Sequence, residues 1–229
     1  MIYRLISLLL ILCSSWPLAT RAGSYEDFLK AIELDDARTL QKLLKAGVDP
    51  NTVDASGDPA LIRALKNESL EVVDVLITQR SLNLDQQNPY GETALMYAAI
   101  QGRETLVRTL VKLGAQINQP GWTALHYAAS MDNTEICRFL LEQKADVDAL
   151  SPNKTTPLMM AARGRQRANV MLLIEHGANP TLVNETGYTA AAFAARAEDT
   201  ELAAWLKRRE ADYLRDYLRA HPENSGQKN

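Results

Sequence analysis

Gly91-Glu92-Thr93-Ala94-Leu95-Met96-Tyr97-Ala98-Ala99 returns as Gly121-Trp122-Thr123-Ala124-Leu125-His126-Tyr127-Ala128-Ala129. It returns again as Thr156-Pro157-Leu158-Met159-Met160-Ala161-Ala162 and as Gly187-Tyr188-Thr189-Ala190-Ala191-Ala192-Phe193-Ala194-Ala195. A weaker copy is Gly57-Asp58-Pro59-Ala60-Leu61-Ile62-Arg63-Ala64-Leu65. Positions 61, 95, 125, 158 and 191 are the equivalent anchors, spaced 34, 30, 33 and 33 residues apart. Self-similarity at such a period marks a protein built by stacking one small unit on the next.

A second motif interleaves with the first. Leu43-Leu44-Lys45-Ala46-Gly47-Val48-Asp49-Pro50-Asn51 reappears as Leu110-Val111-Lys112-Leu113-Gly114-Ala115-Gln116-Ile117-Asn118. Further copies run from Leu140 to Asp148 and from Leu173 to Pro180. Thr93, Thr123, Thr156 and Thr189 each stand where a helix opens, and a hydroxyl there accepts from an orphan backbone N–H. The paired alanines that follow let a first helix pack closely on both sides. Larger apolar residues at helical spacing, such as Leu106, Val107, Leu110 and Val111, mark a second helix. Gly47, Gly114 and Gly177 supply its stop.

These residues resemble the ankyrin repeat, whose pattern is G-x-T-P-L-H-x-A-A, a second helix ending in L-L, then G-A-x-x-N. The resemblance covers about residues 24–210. It implies an all-α solenoid of about six helix-turn-helix units with short β-hairpin fingers. The repeat domain spans 23–210, with an N-terminal capping repeat at 24–53 and further units at 54–87, 88–118, 119–150, 151–183 and 184–210. Residues 211–229 read as a C-terminal capping helix and frayed tail. Between Leu95 and Leu125 the repeat is three residues short, and the loss falls in Ile117–Trp122, where a finger belongs.

Ahead of the repeats, residues 1–22 read as a signal peptide. Arg4 precedes an apolar run from Leu5 to Leu12, and small residues around Ala19 and Ala22 close it. The run is short of the 20 or so residues a membrane span needs. Cleavage fits after Ala22, and Ala19 is the alternative. An uncleaved anchor and lipidation at Cys13 are the competing readings; Leu12 is bulky where a lipidation site wants a small residue. Loss of residues 1–22 removes Arg4 and Arg21, leaving 23 basic against 28 acidic side chains and Cys137 as the one cysteine. A mature chain without a disulfide suits a periplasm, and the expected location is periplasmic or secreted.

Composition narrows the chemistry. A net charge of −3 gives no electrostatic reason to bind nucleic acid. No phosphate loop, serine-nucleophile elbow or zinc-type Cys/His spacing is present. The expectation is therefore no catalytic residue, no metal, no cofactor and no small-molecule substrate. His126 is expected to hydrogen-bond Thr123 and the next loop, and Cys137 to be a buried thiol.

The resemblance implies that a protein partner is held on the concave face, by finger tips and the ends of the first helices. Carried onto this chain, the fingers give Tyr90, Glu92, Trp122, Thr155 and Tyr188. The inner helices give Ile100, Gln101, Ser130, Met131, Arg163 and Arg196. Tyr, Trp, Met and Arg are types enriched at interfaces. Trp122 has two readings, as the exposed tip of a notch or folded down over Pro120 or the adjacent finger. The expected function is an exported, partner-gripping accessory or inhibitory factor. Immunity against a toxin or lytic effector, and an envelope-tethered scaffold, are the alternatives.

Overall fold

The computed structural model describes residues 18–221. Positions 1–17, including Cys13 and most of the expected signal peptide, lie outside the described residues, as does the tail from 222. Twelve helices run through the described chain: α1 (Leu18–Glu33), α2 (Ala37–Lys45), α3 (Ala60–Lys66), α4 (Leu70–Ile77), α5 (Ala94–Ile100), α6 (Glu104–Lys112), α7 (Ala124–Ser130), α8 (Thr134–Glu142), α9 (Pro157–Arg163), α10 (Arg167–Glu175), α11 (Ala190–Arg196) and α12 (Thr200–Ala220). They form six antiparallel pairs. The odd-numbered helices stack into an inner layer, and the even-numbered ones pack outside it.

The inner helices α3 to α11 have seven residues each. Two turns are too short to persist alone in water, so stacking supplies their stability. The small side chains make that stacking close. Ala98, Ala99, Ala128, Ala129, Ala161 and Ala162 have no exposed surface. The outer helices bury larger groups, among them Val107, Leu110, Ile136, Leu140, Val170 and Leu173. Cys137 is fully buried among these, and burial pushes its thiol up to about 12. Removal of residues 1–22 leaves the part of α1 that carries Phe28, Ala31 and Ile32, all buried.

Side chains tie each repeat to the next. Asn51 Oδ1 accepts from the Asn83 amide at 2.6 Å while its Nδ2 donates to the Ser81 carbonyl. Asn118 repeats the pair, accepting from Asp146 N–H and donating to the Lys144 carbonyl. Asp85 and Asp148 take the accepting half of that role, toward the amides of Gln116 and Asn179. Ser69 Oγ donates to the Ile32 carbonyl, Asn133 Nδ2 to that of Ala99, and the fully buried Asn169 Nδ2 to those of Ala128, Ala129 and Met131. The last carbonyls of a short inner helix thus find donors on the following repeat.

The fingers are tighter than hairpins. Four of them close over five residues with the same two backbone bonds. In the second unit these are Asp54 N–H to the Asp58 carbonyl and Gly57 N–H to the Asp54 carbonyl. Asn88–Glu92, Ser151–Thr155 and Asn184–Tyr188 repeat the pattern. A single isolated antiparallel bridge, Val53 with Pro59, stands where strands were expected among the described residues. The three residues missing before Trp122 remove this loop from the fourth unit. At the far end, α12 is one unbroken 21-residue helix, so the expected boundary at residue 210 falls inside it. Leu202 and Leu206 are buried, but Tyr213, Leu214, Tyr217 and Leu218 stay exposed and do not cap the stack.

The helix starts vary with sequence. Thr156 and Thr189 hydroxyls accept from the third helical amide, as the sequence suggests, and Thr93 makes no such bond. In the fourth unit His126 completes the cap. Its Nδ1 accepts from the Thr123 amide, and its Nε2–H donates across to the Thr155 carbonyl at 2.9 Å. The carbonyl can only accept, which assigns the proton to Nε2. Burial outweighs the bond to the Thr155 carbonyl and lowers the imidazole to about 4.

Two predictions follow from the local chemistry. The unfolded histidine protonates near 6.5 and the folded one near 4, so between those values the unfolded chain binds more protons. Stability therefore falls as pH drops through that window, by about 3 kcal/mol from this residue. Urea melts at several pH values should show that slope in the wild type and its loss in His126→Gln. The second concerns helix stops. Gly47, Gly114 and Gly177 hold φ of 95°, 101° and 88°, whereas Lys144 holds φ of 67° at the equivalent stop of α8. A side chain there is strained, so Lys144→Gly should stabilise the protein by about 1 kcal/mol, read as a higher Tm.

Candidate functional site

Each repeat presents three positions along the face shared by fingers and inner helices. The finger-closing residues are Asp58, Glu92, Trp122, Thr155 and Tyr188. Four residues after each helix start come Arg63, Tyr97, Tyr127, Met160 and Phe193. The inner-helix ends carry Lys66, Ile100, Ser130, Arg163 and Arg196. The repeat geometry lines these up from unit to unit.

In the N-terminal half the polar groups satisfy one another. Arg63 pairs with Asp54 at 2.6 Å and Lys66 with Asp58 at 2.7 Å. Asn88 Nδ2 donates to Glu92 and, at 3.3 Å, to Asp58. Glu92 also accepts from the hydroxyls of Tyr97 and Tyr127, at 2.7 and 2.8 Å. Burial raises the Glu92 carboxyl, but these three donors and the nearby Lys66 charge outweigh it and hold the carboxyl below its ordinary value. Asp54 is lowered in the same way, its burial outweighed by Arg63 and two backbone amides. Glu92, expected as a finger contact, is thus already engaged within the chain.

Trp122 sits where the finger is missing. It is half-buried, with its ring edge-on to His126 at 5.2 Å and tilted against Tyr127 at 6.0 Å. It packs down, onto the inner helix of its own repeat, and what remains open lines a groove of about 510 Å³. Trp122 and Thr155 meet Arg163, Tyr188 and Arg196 in this groove. Tyr188 is packed edge-on to Phe193 at 5.9 Å, and the Arg196 guanidinium lies over the Tyr188 ring at 5.0 Å.

Thr155, expected among the finger contacts, is 5% exposed. Its amide donates to Ser151 Oγ and its carbonyl receives His126, so it forms floor and not tip. The other residues named from sequence lie outside the groove. Tyr90 projects from its finger, 78% exposed. Gln101 is exposed but donates to the Leu65 carbonyl, and Ser130 donates to that of Tyr127. Ile100 is half-buried, and Met131 is exposed while its carbonyl serves Asn169. Met160, Phe193, Asn153, Asn184 and Thr186 line the groove and were missed. Met160 and Phe193 had a signal, since they share the column of Tyr97 and Tyr127.

Among the described residues no group of His, Cys, Asp and Glu is arranged to hold a metal ion. Nor, among them, is any helix long and apolar enough to cross a membrane.

A family model described as ankyrin repeats (3 copies) matches residues 28–120, 84–151 and 125–216. The chain is 30% identical over 193 residues to Protein glp-1 of Caenorhabditis elegans, a match covering 77% of this chain but 15% of that protein. It is 36% identical over 103 residues to Protein phosphatase 1 regulatory subunit 27 of Mus musculus, covering 44% of this chain and 67% of that one. Among solved structures, it is similar to a chain in the complex of the Bd0816 predatory endopeptidase from Bdellovibrio bacteriovorus with immunity protein Bd3460. There the TM-score is 0.68 with 27% identity, over 80% of this chain and 97% of that chain.

The Glu92 network gives a test of the N-terminal half. Glu92→Gln keeps the shape but weakens the bonds from Asn88, Tyr97 and Tyr127, and should cost roughly 1 kcal/mol at neutral pH. A carboxyl held low stabilises the fold above the unfolded value and loses that contribution as pH falls. The Tm gap between wild type and variant should therefore narrow in acid.

Proposed function

The chain belongs to the ankyrin repeat family, and from that premise we propose that it is an exported inhibitor of the immunity type, which binds a hydrolytic enzyme on its finger-side groove. It acts by binding and carries no chemistry of its own. The observation that carries the reading is the likeness, nearly complete over the other chain, to a chain of an endopeptidase–immunity protein complex. The groove adds support. Trp, Tyr and Arg are the residues that most often dominate binding energy, and Trp122, Tyr188, Arg163 and Arg196 converge there. The reading of residues 1–22 as a secretory leader supports a partner in the periplasm or outside the cell.

Expression of the full chain with a C-terminal tag, capture from periplasmic extract and mass spectrometry of what is retained tests this directly. A hydrolase, a peptidase above all, should be retained and lose activity as the purified protein is titrated in. The mature N-terminus should be Gly23. Trp122→Ala with Tyr188→Ala should weaken capture at least about thirty-fold, the effect of losing one strong hot spot. A retained partner whose activity is unaffected rejects the inhibitor reading, and equal capture by the double variant rejects the face.

A further inference from the structure

Charge is spread unevenly along the finger-side face. In the N-terminal half each inner-face cation has a carboxylate partner, Arg63 with Asp54 and Lys66 with Asp58. In the C-terminal half the cations persist at the helix ends, as Arg163 and Arg196, but the carboxylates are gone. The positions of Asp54 and Asp58 are held there by Ser151 and Thr155, and in the last unit by Asn184 and Tyr188. No Asp or Glu lines the groove. Arg163 is exposed, and its side chain makes no hydrogen bond or ion pair among the described residues. Arg196 donates one N–H to the Tyr188 hydroxyl at 3.3 Å and lies over its ring. That contact sets the guanidinium in place and leaves most of its five donors for something else.

Resting on the groove as the partner-binding site, we propose that its occupant is an acidic segment of the partner protein. Two carboxylates of that segment pair with Arg163 and Arg196, and an apolar side chain between them seats against Trp122 and Phe193. Successive inner helices stack about 10 Å apart, and an extended chain covers that distance in about three residues. The carboxylates are therefore two or three residues apart. Guanidinium–carboxylate pairs beside aromatic rings are strong because they are bidentate and partly shielded from water. A polyanion such as nucleic acid fits less well. Its charge would run on past the groove onto a half of the face whose cations are already neutralised.

Random peptides displayed on phage and panned on the full chain test the proposal. Enriched peptides should carry two acidic residues two or three apart around an apolar one. A synthetic copy of the enriched peptide, followed by fluorescence anisotropy, should bind at least tenfold more weakly to Arg163→Gln/Arg196→Gln. The Arg→Lys pair, which keeps the charge but not the bidentate geometry, should bind more weakly than wild type and more tightly than the Gln pair, and binding should weaken severalfold as salt shortens the screening length. Enrichment without acidic residues, no enrichment over blank, or tighter binding to single-stranded DNA or anionic vesicles overturns the acidic segment. The charge reversal Arg163→Glu/Arg196→Glu separates the two readings in the capture experiment. If it retains the enzyme while Trp122→Ala/Tyr188→Ala loses it, the acidic segment fails and the inhibitory function stands.

Discussion

A seven-residue helix cannot satisfy its own backbone. Four amides at its start and four carbonyls at its end lack partners inside it, which for two turns is more than half of its groups. The whole architecture answers that constraint. Ser69, Asn133 and Asn169 reach back to the carbonyls that end the previous inner helix. Asp35 reaches forward, accepting from the Val72 amide at the start of the next outer helix. His126 joins its own helix cap to the finger of the next unit through Thr155. Hydrophobic burial supplies the driving force, but these directional bonds set the register in which one repeat meets another.

The same logic explains what was legible in the sequence. The fold was, because a unit that must satisfy its neighbour has to place the same residue types at the same offsets. Thr123, the alanine pairs and Asn118 therefore recur with a fixed spacing. The site was legible only in part. Trp122, Arg163, Tyr188 and Arg196 fall at positions whose side chains leave the stack, and the structure brings them together. Thr155 forms the floor of the groove because its amide is held by Ser151 and its carbonyl by His126, contacts that its place in the motif does not reveal. Glu92 is engaged within the chain by three donors that come from residues up to 35 positions away, which a single repeat does not display. The groove residues Met160 and Phe193 were visible only as a column across repeats, and within a single repeat they read as core.

The short fourth unit divides the face into two chemically different halves. On one side of Trp122, Asp54, Asp58 and Glu92 consume the local cations and hydroxyls in one connected chain of bonds. On the other side Arg163 and Arg196 have no such partners. Without a finger loop at the junction, Trp122 lies flat enough for its ring to serve both halves. It packs on Tyr127, whose hydroxyl belongs to the Glu92 network, and it walls the groove beyond.

Ala195 shows how the stack ends. Its counterparts in the three preceding units are buried against the next inner helix, and Ala195 is exposed. The sixth unit therefore leans on one neighbour, as the first does, where the four between them lean on two. In a nearest-neighbour stack, that makes the terminal units the first to open and the easiest for a protease to enter. The groove runs from Trp122 in the fourth unit across the fifth to the sixth, so a ligand seated there would bridge the junction of the last two units. Closing of the last unit and occupancy of the groove would then be coupled, each favouring the other.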